Sequence, residues 1–178
     1  MLKDIKVQIT GISPLMMHRY SDVPNAEKHT KEVAATFAAY KSNEGQLFVP
    51  ASAIHRSMTL AAKRSKAEGQ RGESLERLVQ SSITITPTEL LLGTGTYEID
   101  SRMVVIPATK GRIIRHRPYL NEWSTSFIIR YDDTQLKEDQ LHEVVENAGK
   151  FEGLLELRPN KGGSYGRFVV TSWSGELA

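Results

Sequence analysis

Lys161, Tyr165 and Arg167 stand among Gly153, Gly162, Gly163 and Gly166 in the stretch FEGLLELRPNKGGSYGRFVVTSW. Backbone N–H groups that glycine leaves accessible, two cations and an aromatic ring together suit an extended phosphate backbone. A turn that only delivers the last strand to its sheet is the competing reading of the same glycines. A second group precedes this one. Between Asp100 and Glu122 there is no acidic residue, while Arg102, Lys110, Arg112, Arg115, Arg117 and His116 all fall inside the interval. If Arg112 to Tyr119 is a strand, Ile113, Arg115, Arg117 and Tyr119 share one face. Two cations and an aromatic ring on a strand face suit a single-stranded nucleic acid, and a solvated edge strand guarded by its charges has the same pattern. Arg56, Lys63 and Arg64, on a helix after Pro50, would widen the basic surface.

Other chemistries find little support. His18, His29, His55, His116 and His142 are scattered, with no HxH or HExxH spacing, so no metal site is expected. Neither a GxSxG nucleophile elbow nor a phosphate-binding GxxxxGK[ST] loop occurs. No cysteine is present, which removes disulfides and thiolate chemistry. The enzymatic reading left open is metal-independent proton transfer by His55, or by His18 with Tyr20, because imidazole titrates near neutral pH. A formal charge of +2 is too small to indicate nucleic-acid binding by itself, so the argument rests on how charge is distributed.

These residues need elements to hold them. Ile5, Val7 and Ile9 alternate with polar residues as in a half-buried strand. A bend at Gly11 and Pro14 leads into SPLMMHRY, and the composition from Ala26 to Lys41 is helical. Leu47 to Val49 is a brief strand, and the helix from Ala53 to about Lys66 follows Pro50 with Ser52 as its cap. The stretch 68–73, EGQRGE, reads as an exposed loop. A short helix from Leu75, strands around Ile83 and Leu90, and a hairpin of Met103–Ile106 with Arg112–Tyr119 come next. Trp123 to Tyr131 is a strand and Leu136 to Lys150 an amphipathic helix. The Gly-rich connection then leads to a last strand starting at Tyr165. The order is β-α-β-β-α-β with additions. The opening MLKDIKVQIT is charged and alternating, unlike a signal peptide, and no apolar run is long enough to span a bilayer.

The opening strand, its SPL bend and the step VPASAIHRSMTLAAKRSK resemble the RAMP superfamily of CRISPR RNA-binding proteins. The first helix there often follows an IPgSsiRGal-type segment. Val49 to Ile54 match it, and His55-Arg56-Ser57 stands where the superfamily frequently has Arg-Gly. The C-terminal half, GRIIRHRPYLNEWSTSFIIRYDD through LRPNKGGSYGRFVV, more closely resembles a family of phage and prophage proteins ending in a GLGDWRP turn and YGRF. Leu155 to Leu157 replace the GDW-like core, and Lys161-Gly162-Gly163 looks inserted.

The resemblance implies a single Cas7-like domain over 1–178, of α+β class. Its ferredoxin-like (RRM-like) core would carry a helical insertion at 12–50 and a long basic hairpin at 97–120. It implies a non-enzymatic protein without cofactor that binds single-stranded RNA or DNA without sequence preference. Arg112, Arg115, Arg117 and Lys161 would meet phosphates, Arg167 would help position the strand, and Tyr119 and Tyr165 would stack on bases. A homo-oligomer along the strand, with no membrane association, in the cytoplasm of a bacterium or phage-infected cell, completes the expectation. A metal-independent Cas6-like endoribonuclease and a phage-borne Cas7-like module that engages a host defence or phage complex are the alternatives.

Overall fold

The computed structural model describes residues 1–66 and 73–175, so the loop expected at 68–73 falls outside the described residues but for Glu73. The architecture is α+β, with several antiparallel sheets and four α-helices among the described residues. The largest sheet has four strands: β1 (Leu2–Gly11), β4 (Ile83–Thr86), β8 (Ser124–Asp132) and β9 (Phe168–Gly175), in the order β4-β8-β1-β9. Every neighbouring pair is antiparallel.

Alternation decides which face is covered. Ile5, Val7 and Ile9 of β1 pair with Ile129, Phe127 and Thr125 of β8, and all six are buried. Helix α2 (Ala51–Ala61) adds Ile54, Met58 and Ala61 to the same core, and α4 (Glu138–Asn147) adds Leu141, Val144 and Val145. Each large aliphatic side chain withdrawn in this way contributes roughly 2 kcal/mol. The alternate residues Lys6, Gln8, Ser126 and Arg130 are exposed, so the opposite sheet face is polar and open.

A second unit is built on the hairpin of β6 (Glu98–Val105) and β7 (Arg112–Leu120). The short strand β2 (Leu15–Met16) adds to its other edge, giving the order β2-β7-β6. Helix α1 (Lys31–Ala38) packs on β7. The 12–50 region and the 97–120 hairpin, separate excursions in sequence, therefore assemble into one substructure. Between the two units, β3 (Phe48–Pro50) pairs with β5 (Glu89–Leu91), and α3 (Glu76–Ser82) lies beside α2. No helix of the described residues is long and apolar enough to cross a membrane.

Local conformations correct several expected boundaries. The helix read from Ala26 to Lys41 is a 3-10 turn at Ala26–Lys28 followed by α1, because His29 and Thr30 are extended between them. Ser52 does not cap α2: the helix begins at Ala51 behind Pro50, and no side chain caps it. The last strand begins at Phe168 rather than Tyr165. Gly166 has φ +71° and donates its N–H to the Pro14 carbonyl, which turns 165–167 onto the bend after β1. The second core helix stops at Asn147 and widens into a π-helical turn at Ala148–Glu152 before Gly153.

Candidate nucleic-acid interface

Strand β7 carries the cations singled out in the sequence, and cross-strand pairing sets their neighbours. Arg112, Arg115, Arg117 and Tyr119 lie opposite Val105, Arg102, Asp100 and Glu98. Their environments differ. Arg112 is exposed and Arg115 half-buried, and among the described residues neither forms an ion pair or a side-chain hydrogen bond. Arg117 is only 2% exposed. Its Nη1 lies 3.7 Å from the Glu156 carboxylate and 3.7 Å from the Met16 sulfur, and its buried Nε has no partner. Burial lowers its pKa, with Glu156 opposing the shift. The expectation of Arg117 as a surface phosphate contact is therefore corrected: β2 folds over it and makes it an internal cation. Tyr119 donates its hydroxyl to Glu98, and that bond raises its pKa.

The decisive residue missing from the sequence-based set is Arg102. Its Nε and Nη2 each donate to the Asp100 carboxylate at 2.7 Å, a bidentate pair. Nη2 also donates to the Tyr165 hydroxyl at 3.1 Å, with the guanidinium carbon 5.6 Å from the ring centroid. Asp100 first, then Tyr165, hold the guanidinium charged beyond its ordinary range. The signal was present, since Asp100 and Arg102 are two apart on a strand and so share a face. Through this contact the hairpin and the Gly-rich segment, distant in sequence, become one surface.

The Gly-rich segment is tightly bound rather than loose. Glu156 N–H donates to the Met16 carbonyl, Leu154 N–H to Gly166, and Tyr165 N–H to Leu157. At Gly163 a Cβ would lie 1.8 Å from the Leu157 oxygen, so the close approach requires glycine. Leu155 and Leu157 have φ of +58° and +50°, a left-handed conformation costly for leucine. Lys161, at the end of a 3-10 turn over Pro159–Lys161, is exposed, and its side chain has no partner among the described residues. Arg167 instead turns back to donate Nη1 to the Lys150 carbonyl at 2.7 Å, near the end of the helix. This places it as an anchor of the segment.

The cations expected on one helix separate, Arg56 on α2 and Lys63 and Arg64 on the 3-10 turn Ala62–Arg64 that follows it. Lys63 pairs with Glu76 at 3.3 Å, and Arg64 lies 3.7 Å from Glu152 and 4.6 Å over the Phe151 ring. Arg56 is exposed and joins His18, Tyr40, Glu152, Glu156 and Arg158 around a pocket between α2 and the Gly-rich segment. The Nδ1 of His18 is buried without a partner, and burial followed by Arg115 lowers its pKa. His55 is also lowered by burial, while the Gln80 backbone draws it the other way. Its environment is therefore α3 rather than the pocket. Tyr20 is 86% exposed and shares no hydrogen bond with His18 among the described residues. No group of three or more metal-ligating side chains occurs among the described residues. No protein-family model matches the chain, and no curated protein matches it.

Proposed function

We propose that this protein binds single-stranded nucleic acid through the β6–β7 hairpin and the adjoining Gly-rich segment. One observation carries the reading: Arg102 and Arg115 are direct cross-strand neighbours. Like charges facing each other across a sheet destabilise it. Asp100 neutralises Arg102, but Arg115 is left with an uncompensated charge beside it. An external anion would compensate that charge. Lys161 adds a second uncommitted cation, and Arg112 a third at the start of the same strand as Arg115 but on its opposite face. A nucleic-acid strand reaching all three would wrap the hairpin edge, and Tyr165, held by Arg102, offers an aromatic ring. Repeated anions with intervening planar groups describe a nucleic-acid strand.

The sheet order β4-β8-β1-β9, with α2 and α4 packed into the core, supports reading the larger unit as ferredoxin-like. It is consistent with the RAMP-like character of the motifs. The same reading includes self-association along the strand. Met103, Val105 and Ile114 are 62%, 54% and 53% exposed at the hairpin tip, and Met103 pairs directly with Ile114. Exposed apolar side chains clustered on a projecting hairpin suit contact with a neighbouring subunit.

Fluorescence anisotropy with a short labelled single strand tests the binding. With Arg112, Arg115 and Lys161 on phosphates, log K falls with log salt at a slope of about −2. Arg112→Ala with Arg115→Ala reduces affinity and brings the slope to about −0.7. A slope that ignores the double substitution would remove the hairpin from the site.

A further inference from the structure

The pocket between α2 and the Gly-rich segment has a chemistry that phosphate binding does not explain. It encloses about 180 Å³, less than the ~300 Å³ at which drug-sized sites begin, and so has room for one ring system. Arg56 and Arg158 are matched there by Glu152 and Glu156, whose carboxylates would repel a phosphate. Tyr40 and Leu155 supply a flat and an apolar wall. Glu152 is buried, accepts from Asn160 Nδ2 at 2.7 Å and lies 3.7 Å from Arg64. Glu156, whose Oε2 lies 3.7 Å from Arg117, keeps a side chain 34% exposed and a second oxygen without a partner among the described residues. Arg158 gives Nη1 to the Leu155 carbonyl at 2.6 Å, leaving its other donors, while Arg56 has no partner among the described residues. The buried, unpartnered His18 Nδ1 lies on the same lining and adds an unmet polar group. Leu155, held left-handed at φ +58°, sits on this lining too.

We infer that this pocket receives one unstacked nucleobase of the bound strand, and that its pairing of carboxylate with guanidinium selects guanine. Guanine presents adjacent N1–H and N2–H donors, which a carboxylate accepts together. It also presents adjacent O6 and N7 acceptors, which a guanidinium engages as a fork. Single-stranded bases are commonly read in this way, splayed from the strand and gripped on their edges. Phosphate contacts along the hairpin carry no sequence information. The pocket would add a preference at one position to an otherwise indifferent strand, an inference that rests on the nucleic-acid-binding reading.

The test compares a short oligouridylate with the same oligomer carrying one central guanine, adenine or cytosine, by anisotropy at fixed salt. The expected result is guanine binding about five-fold or more tighter than the rest. The guanine-to-uracil ratio should collapse toward one in Glu156→Gln and, separately, in Arg56→Ala. Arg56 is exposed on α2, so its variant keeps the test intact if Glu156→Gln misfolds. Equal, salt-sensitive binding of all four oligomers would overturn the guanine pocket while leaving strand binding in place. A preference that survives both substitutions would also overturn it. Absence of binding to every oligomer would overturn both readings.

Discussion

Arg115 and Arg117 are two residues apart on one strand face, yet they are different kinds of charge. Arg115 remains available, whereas Arg117 is enclosed by Met16 and paired with Glu156. Removing Glu156 would leave a buried guanidinium uncompensated, whereas removing Arg117 leaves a carboxylate that water can reach. Glu156→Ala should therefore cost about 3 kcal/mol in denaturant unfolding, the low end for a broken buried pair, and Arg117→Met distinctly less. The reverse order would show that Arg117 is not the enclosed member. Alternation placed both arginines on a face, but the cover over one of them comes from β2, two residues long and paired across most of the chain. No periodicity announces so short a strand. The histidines add a pH dependence. His18 and His55 both have pKa values lowered by burial, so the unfolded chain takes up protons at these sites before the folded one does. Stability should fall as pH drops from about 6.5 toward the folded-state values. Chemical denaturation across that range should show the loss, and His18→Gln with His55→Gln should flatten it. A stability that does not fall in the native protein would contradict the assignment.

At the scale of elements, the site depends on two backbone devices meeting. The hairpin supplies charge, and the Gly-rich segment supplies Tyr165, which Arg102 holds at 3.1 Å. Gly166 is the hinge of this arrangement. Its φ of +71° disfavours any Cβ, and a Cβ there would lie 2.1 Å from the Leu154 oxygen. Gly166→Ala should lower stability by about 2 kcal/mol or more, read from thermal unfolding, and weaken strand binding through displacement of Tyr165. A variant of unchanged stability would show that the turn tolerates another conformation. The strands β1 and β8 and the core faces of α2 and α4 were legible because apolar residues repeat at the period of each element, whereas β7 showed only as an extended basic stretch. The start of β9 was not, since YGRF reads as continuous strand until the bond from Gly166 N–H to Pro14 is known. The divided helix at 26–38 escaped for a similar reason: its composition reads as helical from end to end, and only the extended backbone at His29 and Thr30 shows the break.

At the scale of the molecule, a four-stranded sheet backed by helices carries a second, smaller unit that projects a basic hairpin with an apolar tip. The core specifies where the hairpin stands, and the hairpin presents the charge. The sequence showed both ingredients, but not that the 12–50 and 97–120 excursions form one body, because that follows from β2 and α1 packing on β7. If the tip mediates assembly, Met103→Lys with Ile114→Lys should give a smaller species than the native protein at equal concentration while leaving the fold intact by circular dichroism. An unchanged mass would exclude the tip from any interface. Size-exclusion chromatography with light scattering tests the central claim most directly. It would be run with and without a short single-stranded RNA or DNA, at low and moderate salt. The account predicts a larger species containing nucleic acid that dissociates as salt rises. A mass that stays fixed with either nucleic acid at either salt would contradict strand binding and return the hairpin arginines to the role of a solvated edge.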